Sequence, residues 1–269
     1  MTRAVWIDDA RHELAAARLV GQGGEAEIYD LGDGRVVKLD RPDWNGVAPF
    51  EAEVLDHLAV AGLPVPRSFG TVTVEGRTGV VLDRVEGRSL LWQLLDATPA
   101  EAAVLAERFG ALHLEINGAV VDGLPELVPR LRGELGLAVA DSGLQAELTE
   151  LLAELDDGTR GVCHWDFHPD NVLAGPEGWV VIDWITVGSG PSVADVARTL
   201  VIWGRSTWEP AATFMRALRR AELELRNVES ARVDAWTRVV AGARLAEGFT
   251  GAEADWLLEV ARGAVTLSP

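Results

Sequence analysis

GVCHWDFHPDNVLAGPEGWVVIDWITVGSGPSVADVART, residues 161–199, sets His164, Asp166, Asn171 and Asp183 in order between apolar runs. A carboxylate, then an amide, then a second carboxylate suits phosphoryl transfer, which needs a group to take the acceptor hydroxyl's proton and oxygen ligands for Mg2+. Pro169 forbids a helix through the motif, so Asp166 and Asn171 are expected on a loop. After the turn at 175–178, Trp179-Val180-Val181-Ile182 reads as a buried strand that delivers Asp183 at its end. Two adjacent strand ends then point Asn171 and Asp183 at one metal. Each residue alone reads as an ordinary turn or strand-end group; the constellation carries the chemistry.

His164-Trp165-Asp166-Phe167-His168-Pro169-Asp170-Asn171 resembles the HGDxxxxN catalytic loop of the aminoglycoside phosphotransferase and choline kinase-like family, a branch of the protein-kinase-like fold. Ile182-Asp183-Trp184 resembles that family's counterpart of the kinase DFG motif. The resemblance implies Asp166 as the catalytic Asp, Asn171 and Asp183 as Mg2+ ligands, and His164 as a residue that shapes the loop. Trp165 stands where the family commonly has Gly, so its ring is expected to crowd the loop or to line the site.

The 269 residues, 48% hydrophobic and 25% charged, have a globular composition and are enough for two lobes. No apolar run is long enough to cross a bilayer, and the N-terminal MTRAVWIDDARHEL is acidic where a signal peptide is apolar, so a cytoplasmic enzyme without membrane contact is expected. The single cysteine, Cys163, cannot form an internal disulfide; its apolar neighbours suggest a buried strand thiol. A net charge of −18 speaks against nucleic-acid binding and would draw in a cationic substrate.

Residues 2–19 are expected to include a short helix, and 19–31 a hairpin with Gly21, Gly23 and Gly24 at its tip. Such a tip lets backbone N–H groups approach phosphate oxygens, or it is simply a hairpin. It resembles a degenerate kinase Gly-rich loop, with Ala26 near the third Gly. Lys38 lies within the apolar strand 35–39 and fits the family's phosphate-binding lysine. Its implied partner lies on the helix expected over 48–61; Glu51 aligns best and Glu53 is the nearest rival, and either also reads as a first-turn charge on the helix dipole. Strands at 68–74 and 78–82 complete five. The segment Leu82-Asp83-Arg84-Val85-Glu86-Gly87 resembles the inter-lobe hinge, where backbone groups of Asp83 and Val85 would hold the adenine of ATP.

From Ser89 the hydrophobic period changes from two to about 3.6. Thr98-Pro99-Ala100-Glu101 reads as a capping box opening a helix to Ile116, with His113 as a packing or surface residue. Helices are expected near 125–140 and 144–155, then over 192–203 with Ser192 as cap and Asp195 in the first turn. The family has an Asp at the place of Asp195 that supports the catalytic loop. Further helices are expected over 209–224, 227–247 and, after a Thr250–Glu253 capping box, 254–264. The family builds its acceptor pocket here, which singles out Trp203, Trp208, Glu209, Trp236, Arg244, Glu247 and Trp256; most of the ten tryptophans are expected in the core.

The sequence thus predicts an α+β, bilobal protein-kinase-like fold: a small antiparallel-sheet N-lobe with one helix over 1–84 and a mainly helical C-lobe over 85–269. By the resemblance, it would use ATP and Mg2+ to phosphorylate a hydroxyl of a small polar or cationic molecule of the aminoglycoside, amino sugar or amino alcohol type. The alternative is a kinase-like protein that binds nucleotide or ligand without turnover, for which Trp165 and the degenerate glycine loop speak.

Overall fold

The computed structural model describes residues 17–206 and 208–267. The helix expected over 2–19 falls mostly outside them, and its last two residues belong to a strand. In chain order come β1 (Arg18–Gln22), β2 (Ala26–Asp30), β3 (Arg35–Asp40), α1 (Ala48–Val60), β4 (Ser68–Val74), β5 (Arg77–Asp83) and the short β6 (Arg88–Ser89). Helices α2 (Leu90–Leu95), α3 (Pro99–Gly118), α4 (Leu127–Ala138) and α5 (Ser142–Leu155) precede β7 (Gly161–Cys163), β8 (Val172–Gly175), β9 (Gly178–Val181) and β10 (Gly188–Gly190). Helices α6 (Ser192–Trp203), α7 (Glu209–Arg226), α8 (Ser230–Arg244) and α9 (Ala252–Ala261) follow. Contacts group these elements into two units: the described residues to Leu90 with Asp170–Ile185, and Leu91–Pro169 with the described residues from Thr186 onward. The segment 170–185, which the sequence reading assigns to the lobe of 85–269, is by contact part of the first unit.

The first unit is built on an antiparallel sheet of order β1-β2-β3-β5-β4, the five strands expected. Central β3 sets Lys38 opposite Ile28 on one neighbour and Val80 on the other. Val37 and Leu39, its sequence neighbours, point to the other face of the pleat and are buried, as are Ala52, Val54, Leu55 and Leu58 of α1. Asp40, the last residue of β3, accepts hydrogen bonds from the backbone N–H groups of Gly46, Val47 and Ala48 at 2.9–3.0 Å. That carboxylate satisfies free donors at the start of α1, and so joins the strand of Lys38 to the helix of Glu51. A second sheet, β6-β8-β9, holds the hairpin that ends at Asp183. Gly87 is required here: its φ is +137°, and a Cβ would lie 2.3 Å from the Ala174 carbonyl oxygen.

The second unit is mostly helical. Its α3 starts with the expected capping box, Thr98 and Glu101 each bonding the other's backbone. Helix α8 contributes the fully buried Trp236, Val239 and Val240 to the core shared by α4, α5, α6 and α9. Three local expectations are corrected. Ser192 is the first residue of α6 and makes no cap, Pro191 being the flanking residue. No side chain caps α9, whose N-cap is Gly251, because Glu253 reaches Arg205 at 2.6 Å instead. The helix expected over 227–247 begins only at Ser230, since Asn227 adopts the left-handed conformation (φ 50°) and ends α7. Of the nine described tryptophans only Trp165, Trp184 and Trp236 are buried; Trp44 and Trp92 are exposed, so fewer serve the core than expected. No helix among the described residues is long and apolar enough to cross a membrane.

Candidate active site

In the first unit, sequence positions 38, 51 and 183 converge. Lys38 Nζ donates to Glu51 Oε1 at 2.8 Å and to Asp183 Oδ1 at 2.7 Å. Glu51 is buried on the inner side of α1, whereas its rival Glu53 is exposed. Burial works against the Lys38 charge, but the Glu51 and Asp183 carboxylates outweigh it and hold the ammonium well above its ordinary value. Asp183 takes a left-handed backbone (φ 66°) where β9 ends, a conformation costly for a non-glycine residue and concentrated at functional sites. Asn171 closes a 3-10 turn, Pro169–Asn171, and its carbonyl accepts from Ile182 N–H at 3.0 Å. Register therefore sets Asn171 opposite Ile182, the residue before Asp183. Among the described residues no cluster of three or more His, Cys, Asp or Glu is arranged to hold a metal. One carboxylate and one amide, both hard oxygen donors, fit a Mg2+ that takes its remaining ligands from phosphate and water rather than from a protein cage.

Gly23 and Gly24 lie at the β1–β2 turn, but Gly21, expected there too, is inside β1 and pairs with Ile28; none of the three has a positive φ. A Cβ on Gly23 or Gly24 would meet nothing within 4 Å, so protein packing does not account for these glycines. The turn is pinned from behind: Arg41 Nε donates to Gly23 O at 2.8 Å, and Arg41 N–H to Glu25 O at 2.7 Å. At the expected hinge, Asp83 N–H donates to Arg67 O. Among the described residues the N–H of half-buried Val85 has no hydrogen-bond partner.

In the second unit, the loop after β7 holds Asp166 by its neighbours. His164 is fully buried; its N–H donates to Asp195, its carbonyl accepts from Thr186 Oγ1, and its Nδ1 accepts from Asp166 N–H at 3.2 Å. Trp165 N–H donates to Asp195 at 2.8 Å and Trp165 O accepts from Arg198 Nε at 3.0 Å. Phe167 O accepts from Thr199 Oγ1 at 2.8 Å. The backbone on both sides of Asp166 is thus fixed while its carboxylate stays one-third exposed. Burial would raise the Asp166 pKa, but a hydrogen bond from His168 and the charges of His168, His164 and Arg198 hold it down to about 2.

Trp165 neither crowds the loop nor lines a site. It turns left-handed (φ 67°), which accounts for glycine's fitness there, and its ring is buried with the Arg198 guanidinium 5.4 Å from its centre. Arg198 and Arg244 both reach Glu247. Of the other residues singled out for an acceptor pocket, Trp236 is core and Glu209 is an exposed partner of Arg216. His113 is fully buried, neither on the surface nor merely packed, with both ring nitrogens engaged. Sequence reasoning missed Asp40 and the partners of His113; the i,i+4 pairs His113/Asn117 and Glu222/Arg226 were the available signals. A cavity of about 600 Å3 beside Gln93, Asp96 and Glu101 contains no predicted site residue.

A model of the family described as the phosphotransferase enzyme family matches residues 16–232. The chain belongs to this family. This phosphotransferase-family chain is 32% identical over 179 residues to a homoserine kinase of Pseudomonas aeruginosa, covering 59% of this chain and 54% of that protein. It is 30% identical over 233 residues to a homoserine kinase of Methylocella silvestris, covering 78% and 70%. The chain spans about half the length of the Pseudomonas relative. A ternary complex of a thermostable mutant of aminoglycoside phosphotransferase APH(4)-Ia with AMP-PNP and hygromycin B matches with TM-score 0.66 at 18% identity, over 95% of this chain and 97% of that one. The phosphotransferase-family chain therefore has the protein-kinase-like fold that its sequence predicts.

Proposed function

We propose that this chain transfers the γ-phosphoryl group of ATP to a hydroxyl of a small molecule, with the first unit binding nucleotide and the second supplying the catalytic loop and the acceptor site. The observation that carries the reading is the Lys38–Glu51–Asp183 cluster, which presents an ammonium and a carboxylate together at one place. Lys38, oriented by Glu51, would hold the α- and β-phosphates, with the turn at Gly23 and Gly24 letting the backbone come close to them and Asp83 and Val85 meeting the adenine edge. Asn171 and Asp183 would hold Mg2+, which would supply neutralisation of the phosphate charge when bound. Asp166 would hydrogen-bond the acceptor hydroxyl; as its oxygen bonds the γ-phosphorus and the bond to ADP breaks, the proton passes to Asp166. A carboxyl held at about 2 is a weak base. Its part is to orient the hydroxyl and take the proton late, which suits a loose transition state. His164 fixes the loop from behind.

The acceptor class we infer is a small hydroxylated molecule carrying an ammonium group. Relatives named homoserine kinase and a fold neighbour holding hygromycin B support it, as does the charge of −18. The non-catalytic reading loses its main support, because Trp165 lies beneath the loop. The test is calorimetric titration of Mg·ATP into the wild type and Asp183→Asn, followed by ADP release with L-homoserine, choline and hygromycin B. Metal-dependent binding weakened in the variant, with ADP release on one acceptor, is the expected result. A folded wild type that binds no Mg·ATP would overturn the reading.

A further inference from the structure

Beneath the catalytic loop five side chains close a ring. Asp195 (α6) Oδ2 lies 2.9 Å from His113 (α3) Nε2, and His113 Nδ1 lies 2.7 Å from Glu222 (α7) Oε1. Arg226 donates from Nε to Glu222 Oε2 and from Nη2 to Asn117 Oδ1, each at 2.7 Å. Asn117 Nδ2 completes the circuit by donating to Asp195 Oδ2 at 3.0 Å. His113, Asp195 and Glu222 are essentially fully buried, and the Arg226 side chain is 5% exposed.

The ring settles where the proton lies. A neutral imidazole carries one N–H, yet both nitrogens of His113 face carboxylate oxygens. Asp195 already accepts from the N–H groups of His164 and Trp165 and from Asn117, and Glu222 accepts from Arg226. Both carboxylates are therefore the ionised partners, and the imidazole must donate from both sides. Two carboxylates, one imidazolium and one guanidinium then sum to zero; loss of the imidazole proton would leave one buried negative charge uncompensated. Burial opposes the cation, but Glu222 and Asp195 outweigh it and shift His113 upward. The other titratable groups facing the ring are His164 from the loop and Cys163 from β7, whose thiol burial pushes well up so that it stays neutral.

His113 also touches the loop directly. Its ring stacks on Phe167, the residue after Asp166, with centroids 4.4 Å apart, and Phe167 stacks on Phe109 at 4.2 Å. We propose that His113, doubly protonated between Asp195 and Glu222, is a positioning residue that sets Asp166 from both sides, through the amides bound to Asp195 and through Phe167. This rests on the phosphotransfer reading for its kinetic consequence, but not for its charge state.

Two measurements test it. In protein labelled with 15N at the histidine rings, both nitrogens of His113, assigned with His113→Gln, should keep imidazolium shifts through neutral pH. A neutral tautomer at pH 7 overturns the proposal. In the same variant the backbone amide signals of His164 and Trp165 should move, and ADP release from Mg·ATP with L-homoserine should fall about 10²-fold in kcat, the scale of a misplaced reacting group. The Kd for Mg·ATP should stay within about two-fold, a split that global loosening would not give. An unchanged kcat, unmoved amides, or equal loss of both constants overturns positioning. Should His113→Gln not fold, Glu222→Gln should move the imidazolium's titration to lower pH, and an unmoved titration counts against the ring. A wild type that neither binds Mg·ATP nor releases ADP sinks the phosphotransfer reading alone, since the ring and amide signals still decide the rest.

Discussion

Replacing Trp165 by glycine separates a backbone effect from a packing effect of opposite sign. The ring is 1% exposed, and cutting such a residue out of a core costs about 3–5 kcal/mol. Loss of the Arg198 contact at 5.4 Å adds about 1 kcal/mol. Against this, a left-handed non-glycine residue carries about 1–2 kcal/mol of strain, which glycine removes. Glycine's greater freedom in the unfolded chain returns about 0.5–1 kcal/mol of that gain. Packing wins, and Trp165→Gly should be destabilised by about 3–5 kcal/mol, lowering the thermal midpoint on the order of 10 °C. Circular dichroism melts of wild type, Trp165→Gly and Trp165→Ala in one buffer give the answer. Glycine should melt above alanine, reversing the usual order, because only alanine keeps the strain. A glycine variant as stable as wild type would refute the burial argument, and alanine melting above glycine would refute the left-handed assignment.

Glu51→Gln should weaken Mg·ATP binding about ten-fold by calorimetry, since it removes a charged partner of Lys38, a loss of roughly 1.5 kcal/mol; Glu53→Gln, on the exposed face, should leave it unchanged. If the two behave alike, Lys38 is not set by Glu51. Asp166, at about 2 against an ordinary 3.8, binds fewer protons folded than unfolded between those values. Its stabilisation is therefore complete above about pH 4 and is lost as pH falls toward 2. Urea denaturation at successive pH values should show a shallower fall between pH 4 and 2 in Asp166→Asn than in wild type; parallel curves would contradict the depressed carboxyl.

The five strands, α1 and the catalytic loop were legible because local signals and tertiary structure agree there. Period-two runs, Asp-Gly and Glu-Gly turns and Pro169 each have one reading. Lys38 was marked by the family resemblance, but its pairing with Asp183 across 145 residues was not foreseen, because a strand lysine and a strand-end carboxylate each also read as solvated groups. What stayed hidden depends on which residues meet in space. Asp40 looks like the end of a strand until its carboxylate is seen on the first turn of α1. Asn227 reads as part of a long helical pattern, because nothing local announces a left-handed residue. His113 reads as a packing or surface position on α3, and only α6 and α7 bring the carboxylates that engage both its nitrogens. Trp165 was misjudged because the resemblance marks a departure there but not the direction in which a left-handed backbone throws the ring.

The way the chain is shared between the two units has a practical side. It passes from one to the other at residues 90/91, 169/170 and 185/186, so neither unit is a single continuous piece of polypeptide. A fragment ending near residue 90 would keep Lys38 and Glu51 but lose the β8–β9 hairpin that carries Asn171 and Asp183, leaving β6 without the strand it pairs with. Dissecting this molecule into halves therefore calls for a rearranged gene, in which 170–185 is grafted behind the first ninety residues, rather than for a stop codon.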